Sequence, residues 1–200
     1  MSHTSLGAAY RRFWHEVGEK FPDLGGAAST AYYLENEKRL LTEHLPDLAR
    51  SAILKTDLWD EVKNTRILQW ARAQGATAFG VDISEPTVRQ ARSAFPDGSL
   101  RGTVADVRSL PFRDRSFDAV YSMGTIEHFH DPQTALREMY RVLRPGGRAV
   151  VGVPNRWDPF LRPMLAAFMQ KFGLYDYGYE KSFSRPVFRR MLGFRVAVMT

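Results

Sequence analysis

Cysteine is absent from the 200 residues, so disulfides, cysteine nucleophiles and thiolate metal sites are excluded. No apolar run is long enough to span a bilayer; the longest, Phe160 to Leu174, is interrupted by Arg162 and Lys171. The first residues lack a secretion-signal pattern, and a cytoplasmic location is expected. Histidines and carboxylates nowhere group with metal-ligand spacing, so no metal site is expected. The formal net charge is +6, but no long basic run carries it: the arginines scatter over Arg11-Arg12, Arg137 to Arg148 and Arg185 to Arg195. A solvated basic surface is the expectation, and a nucleic-acid partner is disfavoured.

What is present fits one domain with a sizeable core, since 44% of the residues are hydrophobic. Helical spacing of Tyr10, Phe13, Trp14 and Val17 predicts a helix over Leu6 to Lys20, and Leu34, Leu40 and Leu41 predict another over Tyr32 to Leu45. Strands are expected at Ala52 to Leu54, Ala78 to Val81, Leu100 to Ala105, Phe117 to Tyr121 and Arg148 to Val153. Helices alternate with them: Leu58 to Ala73, a segment capped by Ser84 with Pro86 in its first turn, and the run after Asp131-Pro132, which Pro145-Gly146-Gly147 stops. Such alternation implies an α/β, mostly parallel, doubly wound sheet with ligands at the carboxyl ends of its strands. Beyond Val153, an apolar helix from about Met164 to Phe172 is expected to pack against the rest of the chain, with membrane-surface contact as the alternative. A short helix over Ser184 to Leu192 and a sixth strand from Phe194 to Met199 complete the pattern.

Ser116-Phe117-Asp118-Ala119-Val120, Ile126-Glu127-His128-Phe129 and above all Leu136-Arg137-Glu138-Met139-Tyr140-Arg141-Val142-Leu143-Arg144-Pro145-Gly146-Gly147 resemble the later motifs of class I S-adenosylmethionine-dependent methyltransferases. The likeness is strongest to the small-molecule branch that includes quinone-biosynthesis enzymes, and covers roughly Ile53 to Val153. It implies a Rossmann-like sheet over residues 51–153, a helical cap over 1–50, and a substrate-side cap with the last strand over 154–200; the family's seventh strand is then expected either beyond a truncation or replaced by a partner that completes the edge. The leading helices of such enzymes often lie over the substrate, so Tyr10, Trp14, Tyr32 and Tyr33 are candidates for a lid as well as for plain packing.

The resemblance further implies S-adenosylmethionine as cofactor, held by Lys55, Asp57, Asp82, Ile83, Asp106, Val107 and Met123. Asp82, closing the second strand, can accept both hydrogen bonds of a ribose diol, or serve as a turn aspartate. Asp106, closing the third, occupies the position that meets the adenine amino group. The departure from the family lies in Lys55-Thr56-Asp57-Leu58-Trp59-Asp60-Glu61, where a glycine-rich turn is expected and no glycine stands. Bulky residues do not adopt positive φ cheaply, so this turn must take another path or a wider radius. Asp57 as helix cap, with Asp60 and Glu61 in the first turn, would match the helix dipole, oppose a dinucleotide pyrophosphate and suit a sulfonium and an ammonium. A methyltransferase with a small, partly hydrophobic acceptor is thus expected, with His128, or Glu127, as the general base where the acceptor needs one. Packing is the other role open to His128. The alternative for the whole chain is a non-catalytic binding or scaffold module on the same fold. Neither the acceptor nor the oligomeric state is legible.

Overall fold

The computed structural model describes residues 3–20, 22–45, 47–95, 97–157 and 178–192. Two helices, α1 (His3–Lys20) and α2 (Ala28–His44), precede the sheet. There follow β1 (Ala52–Lys55), α3 (Trp59–Lys63), α4 (Ile67–Ala73), β2 (Thr77–Asp82), α5 (Glu85–Ser93), β3 (Arg101–Val104), β4 (Phe117–Met123), α6 (Pro132–Val142), β5 (Leu143–Gly152) and α7 (Arg185–Leu192). The described strands form one parallel sheet in the order β3-β2-β1-β4-β5. Chain order reverses between β1 and β4, the switch point at whose carboxyl ends sheets of this kind bind ligands. The strand expected at Phe194 to Met199 and the helix expected at Met164 to Phe172 lie outside the described residues.

Side chains alternate across each strand, so the sheet has two apolar faces. Ile53, Ala78, Ala119 and Tyr121 point to the face covered by Leu41 of α2, Ile67, Leu68 and Ala71 of α4, and Val88 and Ala91 of α5. Leu54, Val81 and Val120 point to the other, under Ala135, Leu136, Met139 and Val142 of α6 and Leu192 of α7. Helix starts follow the sequence signals: Ser84 Oγ accepts from Thr87 N at 3.4 Å, and Asp131 Oδ1 from Gln133 N at 3.0 Å.

Two boundaries differ from expectation. Leu58 to Ala73 is not one helix, because Arg66 takes a left-handed φ of 56° between α3 and α4. Its N–H is spent on the Asp60 carbonyl at 3.2 Å, and its guanidinium reaches Asp23 at 3.2 Å. Nor does a glycine cap α6. The helix ends at Val142, Leu143 is already extended, and Gly146, at φ 83°, serves a bulge within β5 before Arg148 to Gly152 pair with β4.

The most distinctive stretch of sequence works as a clamp. From α6, Arg141 donates to both oxygens of Glu138 at 2.7 and 2.8 Å, to the carbonyls of Leu110 and Phe112 at 3.0 and 2.8 Å, and to Asp114 at 2.8 Å. Glu138 in turn accepts from Leu110 N at 2.7 Å, so the connection before β4 is tied to α6. Arg141→Ala should lower stability by roughly 2–3 kcal/mol in urea unfolding, and Arg141→Lys should recover less than half of that, because an ammonium cannot fork to five acceptors.

Candidate active site

Lys55 ends β1, flanked by Gly80 on β2 and Tyr121 on β4. It shares the parity of Ile53, so its side chain runs beneath α2 with no exposed surface. The ammonium donates to the Asp57 carbonyl at 3.0 Å and lies 3.3 Å from the Asp57 carboxylate, 3.3 Å from Asp60 and 4.0 Å from Glu61. Glu37 of α2 faces the same group, beside Thr65 and Tyr121. Burial acts to lower the Lys55 pKa, but Asp57, Asp60, Glu61 and Glu37 outweigh it and raise it. One cation thus stands among four carboxylates, and desolvation raises Asp57, Glu37 and Glu61 against the pull of Lys55. Glu61, fully buried with Oε1 accepting from Leu68 N at 3.0 Å, is pushed up to about 7.

The turn after β1 does take another path. Among the described residues only Arg66 and Arg115 combine a side chain with positive φ, so nothing from Lys55 to Glu61 needs a glycine. Glycine is required one strand away instead: at Gly80 a Cβ would overlap Leu58 Cδ2, the side chain that fills the inside of the turn. Asp57 is not the helix cap. Leu58 holds that position without a side-chain bond, and Asp57 turns inward to Lys55. Asp60 and Glu61 do lie in the first turn of α3.

Asp82 closes β2 and grips this turn, Oδ2 accepting from Leu58 N at 2.9 Å and Oδ1 from Ser84 N at 2.8 Å. Burial raises its pKa, against those two donors. Asp106, just past β3, is held through both oxygens by Arg108, at 2.6 Å from Nη2 and 2.9 Å from Nε. The Arg108 guanidinium lies 4.7 Å from the ring centre of Phe129 and 5.3 Å from that of Tyr10. Ile83 is half-buried, Val107 is buried, and Met123 at the end of β4 lies over Gly152, where a Cβ would overlap its sulfur.

Helix α1 crosses these strand ends. Tyr10 packs on Phe129 at 6.3 Å, Trp14 edge-on to His128 at 4.8 Å, and His15 Nε2 accepts from Glu85 N at 3.4 Å. Burial pushes Tyr10 up to about 12, and Asp106 and Asp82 both act on its hydroxyl, with Arg108 opposing. Tyr10 and Trp14 therefore cover the site, whereas Tyr32 and Tyr33 stack on each other on the outer side of α2, 68% and 57% exposed. His128 and Glu127 sit on a 3-10 turn after β4, Ile126–His128. Glu127 is buried; the His128 ring is half-buried, with Nδ1 2.8 Å from the Tyr179 carbonyl. A carbonyl only accepts, so the proton is on Nδ1 and the lone pair of the neutral ring on Nε2.

The strand ends thus bring Asp82, Asp106 and Tyr10 together, and the turn brings Lys55 and Asp57 together. The Lys55 side chain is fully buried, and its donors are directed to the turn itself. Sequence reasoning passed over Glu37, although Thr30, Leu34, Glu37 and Leu41 fall at helical spacing and mark a carboxylate within an apolar stripe. Arg108 carried no such signal.

Residues 63–151 match the family described as "Methyltransferase domain". Over that span the chain is similar to methyltransferase domains. The matched span opens at the end of α3, so β1 and the acidic turn lie outside it. Curated relatives include the demethylmenaquinone methyltransferase of Thermus thermophilus, 44% identical over 82 residues (40% of this chain, 37% of the relative), and the O-methyltransferase cnsE of Penicillium expansum, 39% identical over 87 residues (42% and 32%). The matches span about a third of the length of these relatives. Among solved structures, the PH0226 protein of Pyrococcus horikoshii OT3 aligns with a TM-score of 0.66 at 21% identity over 89% of this chain and 88% of that one. An S-adenosylmethionine dependent methyltransferase of Mesorhizobium loti aligns with a TM-score of 0.51 at 28% identity over 59% and 54%. The parallel Rossmann-like sheet of the methyltransferase fold is therefore the fold of this domain.

Between its ordinary value and about 7, Glu61 keeps in the folded state a proton that the unfolded chain releases. Stability should consequently fall as pH rises from about 4.5 to about 7, by a few kcal/mol. Glu61→Gln retains the acceptor for Leu68 N and should reduce that slope in denaturant titrations at successive pH values, the remainder belonging to Asp57, which burial also raises to about 7. An unchanged slope would place the titrating proton elsewhere.

Proposed function

We propose that this chain is an S-adenosylmethionine-dependent methyltransferase acting on a small, partly hydrophobic acceptor. The carrying observation is the pair of carboxylates Asp82 and Asp106 at successive strand ends, beneath Tyr10, in a chain similar to methyltransferase domains. The names of the relatives, a demethylmenaquinone methyltransferase and an O-methyltransferase, support an apolar acceptor that offers an acidic carbon or a hydroxyl. On this reading residues 1–50 cap a cofactor-binding core over residues 51–153.

The donor set fits the cofactor. Each oxygen of Asp82 keeps a second lone pair beyond its backbone bond, enough for a ribose diol; at Asp106 the Arg108 N and Nε both donate to Oδ1, and the lone pair left for an amino group is on Oδ2. Ile83 and Val107, each following one of these carboxylates, supply apolar walls, and Met123 closes the β4 side. Asp57, one-fifth exposed at its side chain, is the acidic group of the turn that an ammonium would meet. The cofactor supplies a methyl group on a sulfonium, and an in-line displacement then requires mainly alignment and exclusion of water. Helix α1 contributes the exclusion through Tyr10 and Trp14. His128, anchored through Nδ1 on the Tyr179 carbonyl, is the imidazole that would take a proton from the acceptor.

One observation favours the alternative of a non-catalytic module: the turn satisfies Lys55 and Asp57 with each other. Calorimetric titration with S-adenosylhomocysteine, with NAD as control, separates the two. Micromolar binding of the first alone is expected, and Asp82→Ala should weaken it at least about tenfold through loss of a charged acceptor. Silence from folded wild-type protein would favour the module. With a panel of phenolic and hydroquinone acceptors, His128→Ala should cut turnover about a hundredfold while leaving S-adenosylhomocysteine affinity intact; full turnover would leave the histidine a packing role.

A further inference from the structure

Helix α2 sends two polar side chains into the interior, Thr30 and Glu37, 4% and 6% exposed. They are seven residues apart, two helical turns, and so project from the same face. Burying such groups against a sheet is costly unless they are bonded there. The Thr30 hydroxyl lies 2.8 Å from the Leu24 carbonyl and 2.8 Å from Asn64 Oδ1. Asn64 Nδ2 donates to Asp60 Oδ1 at 2.8 Å, a direction fixed by the carboxylate, which only accepts. The other oxygen of Asp60 faces Lys55 at 3.3 Å, and Lys55 donates to the Asp57 carbonyl at 3.0 Å. The Thr30 hydroxyl has one proton for its two acceptors; when it is given to Asn64, a polar chain runs from α2, through Asn64, Asp60 and Lys55, to the backbone of the turn after β1. Glu37 enters two turns further along the helix, where its Oε2, Thr65 Oγ1 and the Tyr121 hydroxyl are all buried without a hydrogen-bond partner among the described residues, so its carboxylate bears on the turn through its charge, with Lys55, Asp60 and Glu61 around it. The backbone adds a third tie where Leu24 N donates to the Lys63 carbonyl at 2.7 Å.

We propose that Thr30 and Glu37 are positioning residues for the cofactor turn, so that α2 holds from outside, through side chains, a loop that has no glycine to shape it from within. The proposal deepens the reading of that turn as cofactor-binding. It accounts for a threonine and a glutamate on the packed face of a helix that lies outside the matched methyltransferase span.

Four variants of the full chain test it: Thr30→Val and Glu37→Leu, which remove the polar groups, and Thr30→Ser and Glu37→Asp, which restore them. Hydrogen–deuterium exchange in the free protein should quicken about five- to tenfold, the size of one lost hydrogen bond, at amides 56–64 in the first pair, while amides 119–122 of β4 stay as in wild type. The second pair should exchange like wild type at both places. S-adenosylhomocysteine affinity should drop by a similar factor in the first pair and recover in the second. Unchanged exchange at 56–64, or equal quickening in the turn and β4, would overturn the proposal, the latter showing a general loss of stability. Localised quickening in a wild-type background that binds no S-adenosylhomocysteine would uphold the positioning of the turn and defeat its cofactor reading instead.

Discussion

An ammonium group enclosed by carboxylates decides how this molecule is built around its site. Removing Lys55 from water costs several kcal/mol, a cost offset only while Asp57, Asp60 and Glu61 stay around it. Those three residues cannot stay without the turn that carries them, and so the path from β1 into α3 is set by the lysine rather than by backbone freedom. Other features adapt to that path. Leu58 is turned onto Gly80, Asp82 reaches across from β2 to hold the Leu58 amide, and α2 presents Glu37 where an apolar residue would be expected. The acidic character of the turn is largely spent internally, which revises the simple picture of three carboxylates awaiting a cationic ligand.

Much of the frame was legible in the sequence because its causes are local. The alternation of strands and helices, the caps at Ser84 and Asp131 and the two leading helices all follow from spacing and from side chains that bond within three residues of themselves. Long-range causes were hidden. Arg66 adopts a left-handed conformation with no glycine or asparagine at the position, held by Asp60 and by Asp23 from a different part of the chain. The family resemblance alone sets Lys55 among the cofactor residues; the parity it shares with Ile53, and the helix laid over that face, take its side chain inside. Asp57 read as a cap for want of knowing that a buried cation stood next to it.

The residues that reveal the family and those that would perform its chemistry are largely different. Glu138 and Arg141, at the heart of the most recognisable stretch, lock α6 to the connection before β4, their side-chain bonds going to each other, Leu110, Phe112 and Asp114. Asp118 and Arg144 play a similar part at the start of β4, pairing at 2.7 Å while Asp118 accepts from Ala52 N at 2.8 Å. A frame kept by such clamps constrains where strands end, and tolerates a turn after β1 built on other principles.

The side-chain alternation of β1 has a consequence for assembly. This strand has four residues, too few for its apolar pattern alone to select one alignment firmly against its neighbours. A slip of one position would carry Lys55 to the opposite face, among Leu136, Met139 and Val142, where no carboxylate of the turn awaits it. A bare ammonium in that layer would cost far more than new apolar packing could offset. The buried charge thus acts as a register lock, penalising the misaligned sheet at the central strand against which both halves of the fold are laid.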